Sequence, residues 1–141
     1  MENKIKRILV PMDGSKVSFR ALDTAITIAR TCHATVLGIH SVPFLPEGFS
    51  SAVLPYNVYQ KKEAGLFMEK AKYRAAKHGI LFSYVITYGN PVEQIFTVSK
   101  RKKADLIVIG ARGKGRITEF FLGSVANAVL HKSKIPILLV K

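Results

Sequence analysis

Asp105-Leu106-Ile107-Val108-Ile109 runs into Gly110-Ala111-Arg112-Gly113, and after nine intervening residues comes Gly123-Ser124-Val125. The apolar run 105–109 reads as a buried strand, being short, aliphatic and closed by a glycine. From Ser124 onward, Val125-Ala126-Asn127-Ala128-Val129-Leu130 reads as a helix that continues to about residue 132. A strand that empties into a glycine-bearing loop, with Gly-Ser at a helix N-terminus, is the layout of a phosphate site. Glycine lets the backbone approach a ligand closely and take positive φ. The first N–H groups of a helix lack intrahelical partners and carry the positive end of its dipole. The Ser124 hydroxyl can donate to a phosphate oxygen or ligate Mg²⁺.

Outward from this segment, the chain alternates strands with helices. Residues 5–10 read as the first strand, and Ser15 is placed to cap a helix through about Thr31. Residues 34–40 form the second strand. Residues 41–56 hold Pro43, Pro46 and Pro55 and read as an irregular loop, followed by a long helix from about Asn57 to His78 that Gly79 stops. Residues 80–88 alternate as an edge strand, and Asn90-Pro91 opens a third helix with proline in its first turn. The chain closes on a fifth strand, 136–140. Near-continuous apolar strands separated by helices predict one α/β domain over residues 1–141, with a parallel sheet covered on both faces. Five such strands can wind in the order 3-2-1-4-5. Ligands in these sheets bind beyond the strands' C-terminal ends where the order reverses, which is between strands one and four. Asp13 follows strand one and Gly110 follows strand four, so both motifs are expected at one crevice.

Composition narrows the function classes. The 141 residues suffice for a substantial core, and no apolar run approaches the roughly 18 residues of a membrane span. The single cysteine, Cys32, cannot form an internal disulfide, and Met1-Glu2-Asn3-Lys4 leads into a strand without an apolar leader, so a cytoplasmic location is expected. Net charge is +13, split as +2 over residues 1–50 and +11 over residues 51–141. Such a surface either keeps the protein solvated or attracts polyanions, and any nucleic-acid binding should be non-specific and salt-sensitive. Lys100-Arg101-Lys102-Lys103 is its densest run. No G-x4-G-K-[ST] occurs, and Gly113-Lys114-Gly115 fails as a dinucleotide fingerprint because residue 118 is Thr. His33, His40, His78 and His131 show no metal-ligand spacing, and no catalytic constellation is visible, so neither a catalytic residue nor a protein-held metal is assigned. Asp105 lies at the wrong end of its strand for a ligand and reads as structural. Cys32 falls on the apolar face of the first helix, and His40 reads as packed rather than ligating.

The G-x2-G-x9-G-[ST] pattern resembles the nucleotide-binding signature of the universal stress protein family. So do Ile8-Leu9-Val10-Pro11-Met12-Asp13-Gly14-Ser15, Gly89-Asn90-Pro91 and Pro136-Ile137-Leu138-Leu139-Val140, in the same order along the chain. The resemblance implies a Rossmann-like fold with the strand order above. It also implies an adenine-nucleotide pocket for ATP with Mg²⁺ carried on its phosphates. In that pocket Asp13 would accept from adenine or ribose, although it could equally tie down its own turn. Pro11 and Met12 would shape the wall, and Ser41 would offer its backbone to the adenine edge. Gly110, Gly113, Gly123, Ser124 and Val125 would hold phosphate, with Arg112 either reaching it or lying exposed. The implied role is a nucleotide-dependent stress-response regulator working as a homodimer through strand 136–140. A slow ATP hydrolase or phosphotransferase is the alternative, and a basic nucleic-acid-binding protein a further one.

Overall fold

Ile8, Leu9 and Val10 are each 0% exposed, which is possible only for a strand covered on both faces. They belong to β1 (Arg7–Pro11), the central strand in a computed structural model that describes residues 4–43, 53–113 and 122–141. The other elements are α1 (Lys16–Cys32), β2 (Thr35–Val42), α2 (Val53–Ala76), β3 (Phe82–Tyr88), α3 (Pro91–Lys102), β4 (Leu106–Gly110), α4 (Ser124–Lys132) and β5 (Ile137–Val140). The strands are parallel in the order β3-β2-β1-β4-β5, the order expected from sequence. β1 pairs with β2 from Arg7↔Thr35 to Pro11↔Ile39, but with β4 only at Ile8↔Leu106 and Leu9↔Ile107. The sheet therefore parts on the C-terminal side of those two pairs.

Alternation along β1 divides the core. Ile8 and Val10 pack with Leu22, Ala25 and Ile26 of α1 and with Met68, Ala71 and Ala75 of α2. Leu9 faces the other way, with Ile39, Ile107 and Ile109, against Ile95 and Val98 of α3 and Ala126 and Val129 of α4. Gly38 is the close approach that seats α2. A Cβ there would lie 2.7 Å from Phe82 Cζ and 3.2 Å from Met68 Sδ.

Capping explains where the helices begin. Ser15 Oγ accepts the Ser18 N–H at 3.1 Å, and Asn90 Oδ1 accepts from Val92 and Glu93 with Pro91 in the first turn. Replacing Ser15 by Ala should cost about 1 kcal/mol, read as a lower urea midpoint at unchanged slope. α2 starts at Val53, four residues before its expected start, because Pro55 sits in the first turn, where a missing N–H costs nothing. Residues 44–52 of the expected loop lie outside the described residues, as does the Gly115–Thr118 stretch.

At the opposite end of the sheet from the expected crevice, Asp105 Oδ2 accepts the N–H groups of Lys6 at 2.9 Å and Arg7 at 3.0 Å. That is the structural part read for it. Cys32 is a free thiol, half-buried against the α1–α2 side of the core. Tyr84 donates to Glu69 Oε1 at 2.7 Å, tying β3 to α2. That bond, with some desolvation and the carboxylate charge, raises the Tyr84 pKa above its ordinary value. The tie therefore holds at neutral pH and is lost only as pH rises through the raised value. No helix among the described residues is long and apolar enough to cross a membrane.

Candidate functional site

Where β1 and β4 part, a cavity of about 340 Å³ opens beyond their C-terminal ends. Pro11, Met12 and Asp13 leave β1 on one side, and Gly110, Arg112 and Gly113 leave β4 on the other. Ser41 of β2 and Gly123, Ser124 and Val125 at the start of α4 line it as well. All ten residues singled out from sequence line this one space, and its volume falls within the usual range for small-molecule sites.

The two motifs touch at Asp13 and Gly113. A Cβ on Gly113 would stand 2.7 Å from Asp13 Oδ2, so any side chain there displaces the carboxylate or the loop. Asp13 Oδ1 accepts the Ser15 N–H at 2.9 Å, which is the turn-tying part open to it. Its other oxygen lies toward Gly113. The expectation of positive φ in the glycine loop is corrected here. Gly110, Gly113 and Gly123 all lie outside the left-handed region, whereas Gly14 next to Asp13 has φ +82°. Close approach is what demands glycine. A Cβ on Gly110 would come 2.7 Å from Val17 Cγ1, and one on Gly123 would come 3.3 Å from the Ala111 carbonyl oxygen.

α4 begins differently from α1 and α3. Gly123 (φ −58°, ψ 151°) caps it without a side-chain acceptor, and its own N–H donates back to Ala111 O at 2.7 Å. Helix geometry leaves the N–H groups of Ser124, Val125 and Ala126 without intrahelical acceptors, and these three residues face the cavity. The helix dipole adds positive potential at the same place. The arrangement suits an anion.

His40, read from sequence as packed, also lines the cavity. Its Nδ1 lies 2.8 Å from Met12 O, and since a carbonyl only accepts, this contact puts a proton on Nδ1. Its ring stands edge-on to Phe67, with centroids 5.1 Å apart. Ser41 Oγ donates to Gly89 O at 2.9 Å, so the hydroxyl proton is used within the fold. Sequence reasoning missed Ser18, Ile39, Pro91, Ile95, Ile109 and Ala126 as wall residues. Apart from Ser18, whose hydroxyl bonds back to Ser15 O, these are apolar positions like those of the core, and nothing in the sequence separates a residue facing a cavity from one facing another side chain. Among the described residues, no group of three or more His, Cys, Asp or Glu gathers as a metal site.

The model of the universal stress protein family matches residues 4–141. This chain belongs to that family. The universal stress protein MJ0531 of Methanocaldococcus jannaschii is 35% identical over 99% of this chain and 84% of its own length. Among solved structures, a universal stress protein in complex with cAMP shares 28% identity and a TM-score of 0.77, covering 98% of each chain. The Archaeoglobus fulgidus universal stress protein in complex with dAMP shares 25% identity and a TM-score of 0.73, covering 98% of this chain and 99% of that one. In this universal stress protein, the ends of β1 and β4, the start of α4 and Ser41 of β2 line one cavity together with Ile39, Ile95 and Ile109.

Proposed function

We propose that this universal stress protein is a regulatory module that binds an adenine nucleotide, ATP carrying Mg²⁺, in the β1–β4 cavity. The observation that carries the reading is that the start of α4, which has no side-chain cap, lines the same cavity as Asp13. Phosphates would lie on the N–H groups of Ser124 and Val125, against the close-packed backbone at Gly110, Gly113 and Gly123, within reach of Arg112. The Ser124 hydroxyl is exposed and suits either a phosphate oxygen or a phosphate-bound Mg²⁺. Asp13 would accept from the nucleoside, Pro11 and Met12 would shape its wall, and the Ser41 backbone would meet the adenine edge. The cAMP and dAMP held by the two relatives support the adenine class. Phosphates spanning Gly113 and Ser124 would fix both ends of the intervening segment, changing the surface offered to a partner.

Mass spectrometry of small molecules released from freshly purified, denatured protein tests this, followed by calorimetric titration with ATP, ADP, AMP and cAMP, with and without Mg²⁺. ATP should bind most tightly and Mg²⁺ should strengthen it. Failure of all four to bind would remove the reading.

The same reading takes the protein as a homodimer through strand 136–140. β5 is an edge strand whose neighbour within the chain is β4, and Leu138 is 37% exposed on it. Pairing with a second copy would cover that edge with two-fold symmetry. Leu138→Asp should lower the mass measured by light scattering, and a variant that keeps the wild-type mass refutes strand pairing.

A further inference from the structure

α2 is apolar on two opposite sides. Toward the sheet it presents Ala64, Met68, Ala71 and Ala75, each at most 1% exposed. Away from the sheet stand its larger side chains: Tyr59 is 60% exposed, Leu66 66% and Tyr73 67%. Single exposed apolar residues are ordinary, but these three recur every seven residues and so form one straight ridge. Gly65 lies beside Leu66, with nothing within 4 Å of where its Cβ would be.

The flanks of this ridge are charged in a pattern. At about 100° per residue, Lys62 and Glu69 fall on one side of Leu66, and Glu63 and Lys70 on the other. The surroundings agree. Glu69 reaches Tyr84 of β3, whereas Lys70 extends over Phe19 of α1, 5.5 Å from the ring centroid.

We infer that the outer face of α2 docks against the same face of a second copy, antiparallel, about a two-fold axis through Leu66. A rise of about 1.5 Å per residue sets Tyr59 opposite the second copy's Tyr73, and Leu66 against its own equivalent. One flank then brings Lys62 to the height of the second copy's Glu69, within about 1.5 Å, and the other flank brings Glu63 to its Lys70. Opposite charges meet on both sides of an apolar seam, twice over by symmetry. A parallel pair would instead set Lys62 against the second copy's Glu63. Opposed helix dipoles favour the antiparallel arrangement. This surface is separate from β5 and from the cavity, and it does not rest on nucleotide binding.

Sedimentation velocity up to several hundred micromolar tests it, in a Leu138→Asp background that removes strand pairing. That protein should associate reversibly to a dimer. Leu66→Lys should weaken the association about tenfold or more while leaving the circular dichroism unchanged, since the residue is exposed in one copy. Glu63→Lys alone should also weaken it, and Glu63→Lys with Lys70→Glu should restore it. In a parallel pair the double reversal would set like charges together on both flanks and abolish association. A monomer throughout the concentration range, no response to Leu66→Lys, or no rescue by the double reversal each overturns the proposal.

Discussion

If the proposed site binds Mg-ATP, Gly113→Val is expected to abolish the resulting thermal stabilisation while leaving a folded protein. Saturation at a hundredfold excess over Kd should stabilise the wild type by about 2.7 kcal/mol, because only the folded state binds. In the variant, a branched side chain must occupy space 2.7 Å from Asp13 Oδ2, at the meeting point of the two loops. On the proposed reading, displacing the carboxylate and the loop together would remove a nucleoside contact and shift the phosphate cradle. The ligand-dependent shift should fall to near zero. Differential scanning calorimetry with and without nucleotide separates this from simple destabilisation, because the unliganded variant supplies its own baseline. A folded variant that gains as much from nucleotide as the wild type would falsify the phosphate assignment.

Ile107→Ala should cause the largest loss of intrinsic stability. Ile107 is 0% exposed on β4, between Leu9 and Ile137 in register, and belongs to the core half that α3 and α4 cover. Truncation removes buried methyl groups and leaves a cavity that close-packed neighbours relax into only partly. The cost should be about 2–5 kcal/mol. Leu81→Ala, at a position 72% exposed, should change stability by about 0.5 kcal/mol or less. Urea unfolding at a common slope measures both. Comparable effects from the two would mean that β4 is not the packed strand described.

Much of this architecture was legible because local chemistry and the global fold agree. Ser15 and Asn90-Pro91 mark helix starts through their own hydrogen-bonding groups, and the aliphatic run Leu106–Ile109 can be satisfied only inside a covered sheet. The strand order then places Asp13 and Gly110 at one crevice, where both are found. What stayed hidden depends on three-dimensional neighbours. Three prolines between residues 41 and 56 suggested a loop up to Asn57, but proline is tolerated in a helix's first turn, and α2 absorbs Pro55 there. The glycines at 110, 113 and 123 were recognisable, but of the two reasons read for them positive φ fails and close approach holds toward protein atoms. Their φ values are ordinary, and the constraint comes from Val17, Asp13 and Ala111, remote in sequence or across a turn. His40 could be read as packed but not as a cavity wall, since that depends on where β1 turns away from β4.

The central place of β1 also bears on the order in which the sheet can assemble during synthesis. β1 is made before the other four strands yet belongs in the middle of the sheet. Thr35, its partner on one side, follows soon after, while Asp105, which accepts the Arg7 N–H, lies 98 residues further along. The β1–β2–β3 half can therefore assemble while β1 still shows one bare edge, and the seam to β4 closes late, as long-range contacts do. The cavity lies on that seam and takes part of its wall from Gly123 and Ser124. A nascent chain cannot capture a ligand there until both halves have met, so occupancy would itself certify a closed sheet.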